Sequence, residues 1–420
     1  RHISAKLTPT LSQRSEAWQN YVDLFEALLN AESHLDVDLD LPVQWLWDII
    51  DDFVTQLQDF CYYKQTLAGR SADDSLWNVK KAIECLEGLV KKSQIKKILE
   101  AQKKGKDEDD ETSLLDNSFG AHPVYRMLGY FSLVGLIQLQ CSLSDYHRAL
   151  TTADVIDLTK KGLYARVTAC QVSLFYNLSF AYLMARRHVE CVKSVSTILT
   201  FIARTKQYHT RSSQYDKLLA AAERLYALLA LCTALYVVNV DDALMKGVRD
   251  RHGDAIRQLT QGDTAAFETL FLLASPRFIR GSPPPRVSGA GSIASHAKAA
   301  RRAAAQRAAK LYVRDAQHAS LLPTLRSFLK LYTSISITKL ASFLDVDAAT
   351  CRTYLLAYKQ QARSLVGPDK WASASDVNFY IDGDMVHIAD AKPQRRHAQY
   401  FLRHIHKFDE LTNNLARVQR

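Results

Sequence analysis

With 420 residues, 47% hydrophobic content and only 15 glycines, the chain buries a large core and divides into two or three domains, as a soluble globular protein does. Its longest uncharged apolar run, Leu225 to Val238, falls short of the roughly 18 residues of a membrane span, so it reads as a buried helix and no membrane is expected. Seven cysteines, odd in number and without a CxxC pair, argue against a disulfide framework or a zinc site and for a reducing compartment, and a net charge of +10 permits an anionic partner such as RNA without locating it.

The chain opens on Arg1 without the apolar run of a secretory signal and reads as a trimmed fragment. From about Ser15 to Leu99 the pattern is helical. Pro42 opens a helix whose stripe is Val43, Leu46, Ile50, Val54, Leu57 and Cys61, widened by Trp45, Ile49, Phe53 and Phe60, a face broad enough to be buried on neighbouring helices. Trp77, Ile83, Leu86 and Val90 continue it. Lysines from Lys80 to Lys106 run into Asp107-Glu-Asp-Asp-Glu111, and opposite blocks side by side read as a solvated helix end and an exposed loop.

Between Pro123 and Ile202 lies an internal repeat. Leu133, Leu136, Ile137, Tyr146, Ala149, Ala153 and Ile156 align with Phe175, Leu178, Ser179, His188, Cys191, Val195 and Ile198 at a constant offset of 42. The spacing resembles a tetratricopeptide hairpin, although that repeat is usually about 34 residues long. Stacked pairs of this kind leave one face apolar, so they are expected to continue into helices at Leu218–Tyr236 and Ala265–Leu273.

Gly281-Ser-Pro-Pro-Pro-Arg-Val-Ser-Gly-Ala-Gly291 sustains neither helix nor central strand and reads as a flexible connection. The Ala-rich helix after it carries Lys298, Arg301, Arg302, Arg307, Lys310 and Arg314, which serve either as phosphate contacts or as a solvated face.

From Leu321 to Ala391 three short helices precede one β-hairpin, the order of a winged helix. Leu325, Phe328, Leu329 and Tyr332 mark the first helix, and Leu340, Phe343 and Leu344 the second. Asp347 caps the third, whose inward stripe is Cys351, Tyr354, Leu355 and Tyr358, with Arg352, Lys359 and Arg363 together on another side. Asp382-Gly383 suits a two-residue turn that pairs Ile381 with Asp384, Phe379 with Val386 and Val377 with Ile388, so that Val377, Phe379, Val386 and Ile388 share an apolar face. Tyr380, Met385 and His387 are the outward candidates for protein contact. The basic stripe on the third helix suits phosphate, but the wing tip bears Asp382 and Asp384, and the charges favour docking on protein over reading nucleic acid. Phe401, Ile405, Phe408, Leu411, Leu415 and Val418 then keep alternating spacings of three and four, a seam for a partner helix.

The expected fold is mainly α: an N-terminal helical region over 1–115, tetratricopeptide-like repeats over 116–280, a linker over 281–297, a basic helix over 298–320, a winged helix over 321–391 and a C-terminal bundle helix over 392–420. No Gly-rich phosphate loop, HExxH or GxSxG is present. His404 and His406 diverge by about 200° on a helix and cannot share a metal. Asn177-Leu-Ser179 matches a glycosylation acceptor but sits within a helical apolar pattern. No catalytic residue, cofactor or metal is expected.

Helical repeats running into a winged helix and a terminal helix resemble the PCI-domain family, shared by the proteasome lid, the COP9 signalosome and eukaryotic translation initiation factor 3. The wording of Gln44-Trp-Leu-Trp-Asp-Ile-Ile50, Tyr125-Arg-Met-Leu-Gly-Tyr-Phe-Ser-Leu-Val-Gly135, Phe180-Ala-Tyr-Leu-Met184, Arg326-Ser-Phe-Leu-Lys-Leu-Tyr332 and Phe379-Tyr-Ile-Asp382 through Met385-Val-His-Ile-Ala-Asp390 is most similar to the initiation-factor branch. The resemblance implies a non-catalytic cytoplasmic scaffold, neighbouring PCI subunits K and E, that supports preinitiation-complex assembly on the small (40S) ribosomal subunit. The same fold would also suit a lid or signalosome subunit, and a nucleic-acid-binding winged-helix protein stands as a third reading. The Pro-rich loop and the Ala-Arg helix depart from the family's pattern, so contact of that helix with ribosomal RNA is an expectation from charge alone.

Overall fold

In the computed structural model the described residues are 9–31, 41–66, 76–103, 119–158 except 121, 162–205, 215–235, 240–279, 293–389 except 321, 362, 368–369 and 374–376, and 400–412 except 402, 406 and 409–410. The chain folds as two compact units, Arg1–Arg314 and Asp315–Arg420. The acidic run at 107–111 and the Pro-rich stretch at 281–291 lie outside the described residues.

Unit 1 begins with α1 (Leu11–Asn30), opened by a reciprocal capping box between Thr10 and Gln13. It packs with α2 (Val43–Thr66) and α3 (Val79–Lys92) around an aromatic cluster in which Trp18 and Trp77 lie 5.0 Å apart and Phe25 and Phe53 4.9 Å apart, and α4 (Ile95–Lys103) follows against α3. Trp77 Nε1 donates to Arg14 O at 2.8 Å, satisfying the one polar atom that this ring brings into the core. The stripe expected on α2 is buried at Leu46, Ile50, Phe53, Val54, Leu57 and Phe60. Trp45 departs from it: it is 60% exposed, and Trp47 takes the core position, edge-on to Phe131 at 5.5 Å. The physical reason is angular, since residues i and i+2 of a helix point about 200° apart and only one of the two tryptophans faces the bundle.

The repeat is built from α5 (Pro123–Ser142) with α6 (Tyr146–Ala153) and α7 (Thr168–Met184) with α8 (His188–Thr205). Its two turns superimpose bond for bond. Ser144 (φ 65°) and Arg186 (φ 61°) sit in the left-handed region, and in the first turn Ser144 N donates to Cys141 O and Asp145 N to Gln140 O, while in the second Arg186 N donates to Leu183 O and Arg187 N to Tyr182 O. This is the Schellman arrangement, which satisfies the last carbonyls of the outgoing helix. It recurs at Gly262 (φ 83°), between α10 (Asp242–Thr260) and α11 (Thr264–Ala274). The sequence pattern had marked α11 and α9 (Tyr215–Leu235) but not α10, which is kinked at His252. Residues Lys217–Leu235 of α9 are long and apolar enough to cross a membrane, yet Leu225 and Ala227 to Cys232 are fully buried against α7, α8, α10 and α11. Asn177 is buried and donates to Ser173 O at 2.8 Å, which leaves it no path to a glycan.

Close approach of α5 to the end of α3 depends on Gly129, and to α2 on Gly135. A Cβ at Gly129 would lie 1.9 Å from Ser93 Oγ, and one at Gly135 2.8 Å from Ile50 Cγ2. All seven thiols are free, and Cys191 and Cys232, far apart in sequence, meet at 3.5 Å between α8 and α9.

The last long helix is α12 (Ile293–Ser320), which starts ahead of the expected position 298. Within Asp315–Arg420 follow α13 (Leu322–Leu331), β1 (Ser334–Ser336), α14 (Ile337–Leu344) and α15 (Ala348–Gln361), then two hairpins, β2 (Arg363–Gly367) with β3 (Lys370–Ser373) and β4 (Asn378–Asp382) with β5 (Met385–Ala389). The expected three helices and hairpin are thus present, with β1 and a second hairpin added. β1 pairs antiparallel with β5, giving a three-stranded sheet of order β1-β5-β4.

Candidate functional site

The hairpin β4–β5 corrects the expected register by two residues. Phe379 pairs with Ile388, Tyr380 with His387, Ile381 with Val386 and Asp382 with Met385, so the turn residues are Gly383 and Asp384 and not Asp382 and Gly383. Only Gly383 of the two has positive φ (55°), the pattern of a turn with glycine first, and β1 pairing on the other side of β5 extends the ladder. A shift of two keeps every side chain on its face. Val377, Phe379 and Val386 are buried as expected, with Ile388 half-buried; Tyr358 of α15 stacks on Phe379 at 6.1 Å, and Cys351 and Leu355 of the same helix are also buried.

The cations of α15 do not form a free stripe. Arg352 Nη2 donates to Gly383 O at 3.2 Å, and Lys359 Nζ donates to Phe379 O at 2.9 Å while lying 5.6 Å from the Phe379 ring centroid. Arg363 is not on the helix at all but opens β2 opposite Ser373. The helix therefore spends two of its positive charges on the carbonyls of the hairpin, and Arg352 sits beside the acidic tip of Asp382 and Asp384.

On the outer sheet face Tyr380 and His387 stack at 5.1 Å, and Tyr380 and Met385 are 56% and 38% exposed. These three candidates do come together. The described residues between 400 and 412 are helical and carry the second apolar face: Phe401, Ile405, Phe408 and Leu411 are between 54% and 66% exposed, with Tyr400 packed edge-on to His404 at 4.3 Å. Leu415 and Val418 lie outside the described residues. Tyr400, 58% exposed, belongs to this face and was missed because it precedes the three-four spacing.

Along α12, Ala309, Tyr312 and Ala316 are buried, Tyr312 stacking on Phe271 at 4.9 Å. Arg307, Lys310, Leu311 and Arg314 occupy the opposite, exposed side at helical spacing. Lys298, Arg301 and Arg302 lie on the same helix, and their side chains are outside the described set. Among the described residues no group of three or more His, Cys, Asp or Glu is arranged to hold a metal ion.

Stacked helical hairpins followed by a small helix-and-sheet unit define a mainly α protein of the tetratricopeptide-like, PCI type. The family model described as RNA polymerase I-associated factor PAF67 matches residues 13–408. A protein of Nematostella vectensis is 38% identical over 431 residues, covering 99% of this chain and 80% of its own length. Relatives from Danio rerio and Mus musculus are 37% and 38% identical over 436 residues, covering all of this chain and 73% and 75% of their own lengths. All three bear the name eukaryotic translation initiation factor 3 subunit L, and the chain belongs to that family.

Proposed function

We propose that the chain is a non-catalytic, cytoplasmic scaffold subunit of eukaryotic translation initiation factor 3, in which residues 321–391 form a winged helix and the helix after it joins a PCI core with subunits K and E. That core binds the small (40S) ribosomal subunit and supports preinitiation-complex assembly. The observation that carries this reading is the exposed apolar face of Phe401, Ile405, Phe408 and Leu411. Exposed apolar faces of this kind mark protein contact sites, and burying each of these side chains contributes about 1 to 2 kcal/mol, given that each is little more than half exposed. The stacked Tyr380–His387 pair beside Met385 supplies a second contact. Engagement of Arg352 and Lys359 with hairpin carbonyls supports docking over nucleic-acid reading at this helix.

The test is co-purification of the tagged full chain carrying Phe401→Glu and Phe408→Glu. Initiation-factor subunits are expected with the unsubstituted chain and lost with the variant, at unchanged helical content. Undiminished co-purification refutes the role of the face, and recovery of a protease lid or a deneddylase assembly in place of initiation-factor subunits refutes the assignment. Arg307, Lys310 and Arg314, with Lys298, Arg301 and Arg302 on the same helix, are the residues we assign to ribosomal RNA. Reversing Arg301, Arg302 and Arg307 to Glu is expected to weaken ribosome association in a salt-sensitive way.

A further inference from the structure

A cleft of about 520 Å³ lies over α5, between the α3–α4 turn and α6, in the size range of built ligand sites. Lys91, Lys96 and Lys97 line one wall and Arg148 the other. The walls are fixed to each other at both levels: Arg148 Nη2 pairs with Glu87 Oε1 at 2.9 Å, and Lys103 Nζ donates to Asp154 O. With Glu87 committed to Arg148, Lys91 and Lys96 give the mouth a positive field, and among the described lining residues there is no other carboxylate.

The floor has a different chemistry. Gln140 is 4% exposed, and its Oε1 has no hydrogen-bond partner; the same holds for Oε1 of Gln94, which sits at the turn in a left-handed conformation (φ 49°). Two buried carbonyl acceptors without donors are costly to leave unmet, and a ligand bearing N–H groups supplies what they lack. Cations at the mouth and acceptors below ask for a ligand that is anionic at its edges and a donor along its spine.

We propose that this cleft binds an extended acidic peptide segment of a partner protein, with Asp or Glu carboxylates on Lys91 and Lys96 and main-chain N–H groups on Oε1 of Gln140 and Gln94. Single-stranded RNA fits less well. Its sites stack bases on aromatic rings or free guanidinium planes, whereas the described lining residues include no aromatic one and their one guanidinium is held by Glu87. The cleft shares no residue with the apolar tail face, so the failure of either leaves the other standing.

The test is fluorescence anisotropy on the full chain with a labelled ten-residue Asp/Glu-rich peptide and, in parallel, a ten-nucleotide U-rich RNA. Lys91→Glu with Lys96→Glu should weaken peptide binding at least about tenfold, the scale of losing two charge-assisted contacts. Lys246→Glu with Arg249→Glu on α10, the same charge change elsewhere, should leave it within about twofold, since distant exposed charges are screened. Gln140→Met keeps size and net charge; it should weaken the peptide about fivefold while leaving the urea midpoint of the unliganded chain unchanged or raised, because it removes an unsatisfied acceptor. The proposal is overturned if the α10 variant loses as much affinity as the cleft variant, if Gln140→Met binds the peptide normally, or if the RNA binds more tightly than the peptide and depends on the same lysines.

Discussion

Replacing Lys359 by Met keeps the stem of the side chain and removes the ammonium that joins α15 to the hairpin. In the structure that ammonium makes a 2.9 Å hydrogen bond to Phe379 O and lies over the Phe379 ring. A hydrogen bond to a charged group contributes about 1.5 to 3 kcal/mol, and the half-buried position of Lys359 places it at the lower end, near 1.5 kcal/mol. That corresponds to about a tenfold rise in the opening equilibrium of the hairpin. Native-state hydrogen exchange at the β4 and β5 amides reads it directly, with protection falling about tenfold there and unchanged in α5 and α7. Arg352→Gln, at an exposed site, should lower protection less, and neither variant should alter affinity for RNA. Unchanged protection together with weakened RNA binding would falsify the argument and return these cations to phosphate contact.

Burial, and secondarily repulsion by Arg186, hold the His188 ring well below its usual range, down to about 3 from 6.5, with both ring nitrogens closed off from solvent. Because the folded value is the lower one, the unfolded chain takes up the proton first as pH falls. The contribution is therefore full above pH 6.5 and is lost toward pH 3, at up to about 1.4 kcal/mol per pH unit, or at most about 2 kcal/mol by pH 5. Urea midpoints between pH 5 and 7.5 should fall on the acid side, and His188→Asn should flatten that limb; an unchanged slope in the variant refutes the assignment. Gly129→Ala should destabilise the Arg1–Arg314 unit by about 1 to 3 kcal/mol through overlap with Ser93, and adding Ser93→Gly should return most of it. A neutral Gly129→Ala in chemical denaturation contradicts the close packing of α3 on α5.

The repeat was legible because burial repeats with it: Leu133, Leu136, Ile137 and Ala149 are buried, as are Phe175, Leu178, Ser179 and Cys191 at the 42-residue offset. Its turns were not. Left-handed positions advertise themselves when glycine fills them, as at Gly262, but Ser144 and Arg186 take the same conformation at about 1 to 2 kcal/mol each. Nothing local marks them; the hydrogen bonds of the surrounding hairpin hold them there. α10 escaped for a related reason, being kinked and half-exposed, with Leu244, Val248 and Leu259 as its buried apolar anchors. In the hairpin the alternation of faces could be read but not the pairing, since a register shift of two leaves the alternation intact while β1, three residues long, has too little sequence to announce itself.

Charge was the least transferable signal, and α15 and α12 show why. Helical spacing places Arg352 and Lys359 on one side of α15, and the same reasoning places Arg307, Lys310 and Arg314 on one side of α12. The difference lies in what faces them. The hairpin crossing α15 offers carbonyl oxygens at Gly383 and Phe379, acceptors invisible to a sequence because every residue has one, and the cations are taken up inside the fold. On α12 the side facing the core of Arg1–Arg314 is made of Ala309 and Tyr312, so the cations stand with the exposed Leu311 on the far side. A basic stripe is therefore available to a phosphate only where its own fold presents no backbone acceptors to it. By that criterion we propose α12 for the RNA contact and the sheet face and the tail for the protein contacts.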